Sequence, residues 1–163
     1  DKNIISAVKK ALKQLAAMAE VEGKNIYLDL VKRIEFLNQL IAEIEEASKK
    51  YQKEKYKNLK NKISELLDLL TIDDSRLIQE VAYYVERAEI NEEVVRVKSH
   101  LNQLKNFLDE TEPVGKKLNF LLQEINREIN TIGSKSPLTS VTMKIVEMKS
   151  EVEKIREQAQ NIQ

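Results

Sequence analysis

Apolar residues in the first part of this chain return every three or four positions, and little in the sequence can stop the helix that this spacing demands. Ile5, Val8, Leu12, Leu15 and Ala19 form one stripe; Ile26, Leu30, Ile34, Leu37, Ile41 and Ile44 form another. The 163 residues include only three Gly and two Pro, the profile of a helical protein with long helices. Gly23 falls between the stripes, so residues 3–46 read as one long helix with a weak point, or as two helices in line. Uninterrupted, that stretch is about 60 Å long. A helix of this length projects beyond a compact domain, which predicts a helical arm or hairpin.

The helical period continues downstream. Residues 49–70 read as a second helix, opening on the lysine-rich KKYQKEKYKNLKNK and closing on Leu59, Ile63, Leu66 and Leu70. Thr71-Ile72-Asp73-Asp74 is a break, and an Asp there suits the N-cap of a helix running to about Ala88. Asn91 suits the N-cap of the next, with Glu92 and Glu93 in the favourable first turn and Val94, Val97, Leu101, Leu104 and Leu108 toward the core. After a turn at Glu112-Pro113-Val114-Gly115, Leu118, Leu121, Leu122, Ile125, Ile129 and Ile132 mark another helix. Gly133 suits the C′ position that ends it, and Ser136-Pro137 suits an N-cap and first turn. The last helix carries Val141, Ile145, Met148, Val152 and Ile155. The expected fold is all-α: a long helical arm or hairpin over residues 1–70, then an antiparallel helical bundle over residues 73–163.

The totals exclude several functions. Without cysteine there is no disulfide and no thiolate metal site, which points to a reducing compartment and a cytoplasmic location. Formal net charge is zero, so attraction to nucleic acid has to come from local patches. No apolar run approaches the roughly 20 residues of a membrane span. Glycine-rich phosphate loops and Gly-x-Ser-x-Gly elbows are absent.

The polar faces are less ordinary. Arg76, Glu80, Tyr83 and Arg87 share one helix face; Glu93, Arg96, His100 and Gln103 share another; Asn119, Gln123, Asn126 and Asn130 run beside Phe120, Glu124, Arg127 and Thr131, with Glu128 one turn beyond Glu124. The plain reading is surface ion pairing, worth ~0.3–0.5 kcal/mol a pair. Three such rows on consecutive helices suggest more, because facing helices of a bundle can bring inward carboxylates together. Glu80, Glu124 and Glu128 are then candidate oxygen ligands for Mg²⁺ or Mn²⁺. With one His and no Cys, zinc is not expected. His100 is a candidate general acid or base, with Glu93 and Arg96 one or two turns behind it. Residues 49–62 hold seven Lys, one Glu and the aromatics Tyr51 and Tyr56, a local charge near +6. Lys49, Lys50, Lys53, Lys55 and Lys57 there read either as a phosphate-tracking surface or as a solvated helix face.

Several ordered motifs resemble one family. They are Arg76-Leu77-Ile78-Gln79-Glu80-Val81-Ala82, Arg87-Ala88-Glu89-Ile90-Asn91-Glu92-Glu93, Arg96, Ser99-His100-Leu101, Pro113-Val114-Gly115, LLQEINREINTIGSKS (121–136) and EMKSEVEKIREQAQNIQ (147–163). Together they resemble the C-terminal half of the bacterial YicC/YloC family, closely over residues 76–163 and more loosely over residues 7–70. The resemblance implies an endoribonuclease that uses a divalent cation and assembles as a hexamer around RNA. It also implies an N-terminal domain absent from this chain, which starts at Asp1 rather than Met. Its polar positions fall on Glu80, Arg87, Glu92, Glu93, Arg96, His100, Gln123, Glu124, Asn126, Arg127, Glu128, Asn130, Ser134 and Lys135. The chain departs from the family at Glu89 and Asn119, where Asp is usual, and at Lys116, where Arg is commoner.

The combined expectation is the C-terminal domain of a metal-dependent endoribonuclease. Glu80, Glu124 and Glu128 hold the cation; His100 is the acid or base with Glu93 orienting it; Arg127 and Arg96 meet phosphate charge; Glu124 serves as a base in a metal-free variant that uses the RNA 2′-hydroxyl. Arg87, Lys135 and the lysine-rich arm contact RNA. The rival expectation is a non-catalytic helical module for oligomerisation or RNA clamping.

Overall fold

The computed structural model describes residues 2–67, 79, 89–110 and 114–160. These form four helices and, among the described residues, no strand: α1 (Lys2–Leu67), α2 (Asn91–Leu108), α3 (Gly115–Lys135) and α4 (Thr139–Gln160). The all-α expectation is met. The helix expected over residues 73–88, with Glu80 and Arg87, falls outside the described residues save for Gln79.

α1 is a single helix of 66 residues, about 100 Å long at ~1.5 Å per residue. It passes through Gly23 and through the 46–49 joint where the sequence suggested a second helix, so these segments form an arm and not a hairpin. The reason is local. One glycine costs roughly 1 kcal/mol in a helix, and Lys, Glu and Gln, which fill the 49–62 stretch, are good helix formers. Lys49 also reaches back one turn to Glu45 at 2.6 Å.

The core runs across the boundary that the sequence places near residue 70. Leu30, Ile34, Leu37, Ile41 and Ile44 of α1 are fully buried. α2 and α4 both pack on this middle part of α1, and α3 packs on both α2 and α4. Val97, Leu101, Ile125, Ile129, Val141 and Met148 complete the interior. Each such side chain contributes roughly 1.5–3 kcal/mol on burial.

Cross-helix pairs give the directions. Tyr27 donates to Asp109 at 2.8 Å and Lys98 pairs with Glu45, so α2 runs antiparallel to α1. Arg33 meets Glu151 at 2.7 Å and Lys144 pairs with Glu43, so α4 does too. Arg96 meets Glu128 and Lys135 meets Glu93, so α3 is antiparallel to α2.

Three sequence-based boundaries move. Asn91 is not the N-cap of α2: it is the first helical residue, and its side-chain amide donates to Glu89 at 2.9 Å. Ile90 holds the cap position: its side chain is buried, and its carbonyl accepts the first helical bond, from Val94. Gly133 lies inside α3, not beyond its end, and no described Gly has a positive φ. A Cβ there would come 3.3 Å from Ile145 Cγ2 on α4, so this glycine serves close helix packing. α4 begins at Thr139, three residues after Ser136, whose hydroxyl instead accepts from the Leu138 N–H at 3.4 Å.

The first stripe is not buried. Residues 3–25 of α1 are exposed all round, because α2 and α4 reach only the part of α1 from about Ile26 onward.

Candidate functional site

The polar seam between α2 and α3 gathers most of the described candidate residues. Arg96 projects from α2 and uses all three guanidinium nitrogens: Nε to Glu128 Oε1 at 2.9 Å, Nη1 to Glu92 at 3.2 Å and Nη2 to Glu93 at 3.3 Å. Lys135, in the last turn of α3, returns to α2. It donates to Glu93 Oε1 at 2.9 Å and to the Glu89 carbonyl at 3.2 Å. Glu93 and Glu128 are both buried. Burial pushes the Glu93 carboxyl up, but the hydrogen bond from Lys135 and the charges of Lys135 and Arg96 outweigh it, and the group is held below the usual carboxylate range.

This arrangement reassigns two expected roles. Glu93 does not orient His100: the two are seven residues apart on one helix, a rise of about 10 Å, and Glu93 is engaged by Lys135 and Arg96. Arg96 and Lys135, expected to grip RNA, are largely neutralised by the carboxylates around them. Buried charges of this kind need partners with good geometry, and here they join α2 to α3.

His100 lies one turn beyond Arg96, half-buried, and its Nδ1 is closed off from solvent without a hydrogen-bond partner among the described residues. The antiparallel register that sets Arg96 against Glu128 carries Glu124, one turn back on α3, to the level of His100. Glu124 is half-buried, and Arg127, one turn along from it, is exposed. His100 and Glu124 therefore lie level with each other, one turn from the Arg96–Glu128 pair, and Arg127 is exposed on α3. Gln123, Asn126 and Asn130 are exposed on α3, and Asn119 turns back to the Gly115 carbonyl at 3.1 Å.

The carboxylates do not assemble into a metal set among the described residues, where no three His, Asp or Glu side chains are arranged to hold an ion. Glu128 is bound to Arg96, and Glu80 lies outside the described residues, as does Arg87. The described residues thus do not by themselves fit a divalent cation.

The lysine-rich part of α1 is a separate surface. Lys49, Lys50, Lys53, Lys55 and Lys57 are all exposed. Lys49 is paired with Glu45, and the Lys55 ammonium stands 5.9 Å from the Tyr51 ring. No helix among the described residues is long and apolar enough to cross a membrane.

The helical repeat alone does not reveal the ion pairs that fasten α1, including Arg33 with Glu151. One signal was available. Glu128 stands three residues after Ile125 and four before Ile132, and Glu151 stands three after Met148 and four before Ile155. A carboxylate inside an apolar stripe calls for a cationic partner on a facing helix.

Residues 44–163 match the family model described as endoribonuclease YicC-like, C-terminal. Two relatives, each named probable endoribonuclease YicC, are similar to the chain. The one from Clostridioides difficile is 48% identical over 158 residues, covering 96% of this chain and 54% of the relative. The one from Haemophilus influenzae is 39% identical over 94 residues, covering 58% of this chain and 33% of the relative. The chain spans about half the length of the first relative and a third of the second.

Proposed function

Because this chain belongs to the YicC-like endoribonuclease family, we propose that it is the helical part of an enzyme that cleaves RNA phosphodiester bonds. The observation that carries the site assignment is the register of α2 and α3, which brings His100 and Glu124 level beside the Arg96–Glu128 pair. An imidazole and a carboxylate are a suitable acid–base pair for RNA cleavage through its own 2′-hydroxyl. Glu124 takes the 2′-hydroxyl proton as that oxygen attacks phosphorus. His100 gives a proton to the departing 5′-oxygen. Arg127 meets the charge on the phosphorane oxygens. The products are a 2′,3′-cyclic phosphate and a free 5′-hydroxyl. In this reading the ionic cluster of Glu93, Arg96, Glu128 and Lys135 holds the two helices in register.

Glu128 is committed to Arg96, so these steps run on the protein's own side chains. The lysine-rich face of α1 supplies the electrostatic grip on the RNA backbone. Assembly into a homo-oligomer and a cytoplasmic location belong to the same proposal.

The product ends test it. A cyclic phosphate, formed equally well in EDTA, supports the 2′-hydroxyl route. A 3′-hydroxyl product, with activity lost in EDTA and restored by Mg²⁺, overturns it and returns Glu80 and Glu124 to a metal role. A second reading, an RNA clamp without chemistry, is favoured by the mutual neutralisation at the α2–α3 seam. RNA bound but left intact supports that reading instead.

A further inference from the structure

The apolar residues of α3 from Leu118 to Ile132 are buried, with one exception: Phe120 stands on the solvent face of the helix, 60% exposed. A single exposed apolar residue is ordinary in itself. What distinguishes this one is its surroundings. At about 100° per residue, Lys116, Lys117, Phe120, Glu124 and Arg127 fall within roughly 100° of the helix circumference, so they share one face. A ring set between cations, one turn from the acid–base pair, is a different object from a stray apolar side chain.

The order of these residues suits one strand of nucleic acid. Phe120 lies one turn, about 6 Å, from Glu124. With the scissile phosphate at Glu124 and Arg127, the base of the adjoining nucleotide comes over the ring. Lys116, one turn further on and exposed, meets the next phosphate. Lys117 is directed elsewhere: it pairs with Glu110 at 2.7 Å, and its ammonium stands 5.1 Å from the centre of the Phe107 ring. The ring of Phe120 is flanked by charges and by the amides of Asn119 and Gln123 instead of further apolar surface. That setting favours a polyanion carrying flat bases over a protein partner.

We propose that Phe120 is a stacking platform for an unpaired RNA base beside the phosphate at Glu124 and Arg127, with Lys116 on the phosphate beyond it. The platform rests on the reading of the α2–α3 seam as an RNA-cleaving site, and adds a substrate requirement to it. A base already stacked in a duplex does not lie on the ring, so the strand is unpaired at this position.

The test is binding, with two labelled strands of equal length: a 2′-O-methyl oligouridylate, which has no 2′-hydroxyl to attack, and the same sugar–phosphate chain without bases. Circular dichroism checks that each variant is folded. Phe120→Ala should weaken binding of the base-bearing strand by about 5- to 150-fold, the loss of one stack, and leave the abasic strand unchanged. Phe120→Trp should restore binding and Phe120→Leu should not. Lys116→Ala should lower the slope of log K against log salt by about 0.7, and Phe120→Ala should not alter it. Equal losses on both strands, restoration by Leu, or a fall in oligomeric mass in place of the loss of base preference would overturn the proposal. Cleavage is scored apart from binding. A parent that cuts RNA, with Phe120→Ala binding both strands as the parent does, overturns the platform alone. A parent that holds bases through Phe120 and never cuts RNA overturns the cleavage reading alone, and a parent that binds neither strand overturns both.

Discussion

Arg96 Nε meets Glu128 Oε1 at 2.9 Å across the α2–α3 seam, and that carboxylate is buried. Removing the arginine leaves Glu128 without its cation and deprives Glu93 of one of two. Arg96 is itself 44% exposed, so water screens part of the loss. Arg96→Ala should cost about 1–3 kcal/mol, the desolvation cost of an abandoned buried acceptor. Glu128→Gln, which keeps an acceptor for the guanidinium, should cost less. Urea denaturation of the two variants checks the order.

The two described helix-interior glycines should respond in opposite ways. A methyl group added at Gly23 would meet nothing within 4 Å, so Gly23→Ala should stabilise by about 0.5–1 kcal/mol through helix propensity alone. At Gly133 the same gain is offset by crowding against Ile145 Cγ2 at 3.3 Å. Gly133→Ala should therefore be nearly neutral, and Gly133→Val should destabilise by about 1–3 kcal/mol through overpacking. Thermal unfolding of the three variants separates propensity from packing.

Acid should weaken the fold through a small set of carboxylates. Hydrogen bonds from Lys144 to Glu43, and from Lys49 and Lys98 to Glu45, hold those groups below the usual carboxylate range. At Glu93 and Glu151 burial pushes upward, and the lysine and arginine partners reverse it. A folded-state value below the unfolded one gives stability that is fully present above the unfolded value, about 4.3, and is lost as pH falls through the folded value. The urea midpoint should fall below about pH 4.3. Replacing Glu93 with Gln should lower the midpoint near neutral pH and make the acid loss shallower.

RNA binding should depend on salt if the α1 lysines follow the backbone. Each phosphate contact with a single strand contributes about 0.7 to the slope of log K against log salt. Lys53→Ala and Lys57→Ala should each reduce the slope by about that amount. Lys49→Ala should change it less, because Lys49 already pairs with Glu45 at 2.6 Å. Titrations of a labelled oligonucleotide at several salt concentrations measure this.

These contrasts mark where the sequence was readable. Periodicity located the buried faces of α2, α3 and α4 and the stripe from Leu30 to Ile44, because burial on one side of a helix writes a 3.6-residue repeat into the chain. The same repeat from Ile5 to Ala19 carries an identical signal and is exposed, since periodicity reports an apolar face and not what covers it. Gly133 shows another limit. A glycine that ends a helix and one that admits a neighbouring helix look alike locally, and only Ile145 on α4 distinguishes them. At the candidate site, His100, Glu124 and Arg127 were visible as members of polar rows. The partnership of Glu93 with Lys135, 42 residues away, depends on how α2 and α3 align.

The measurement that bears most directly on the proposed activity is cleavage of a labelled RNA by the protein, by His100→Ala and by Glu124→Gln, with each variant confirmed as folded. An acid–base pair contributes typically 10²–10⁴-fold to rate. Each substitution should slow cutting by about that factor while RNA affinity and the unfolding midpoint stay close to those of the parent. Cutting at the parent rate by both variants, or tight binding of RNA that is never cut, would contradict it.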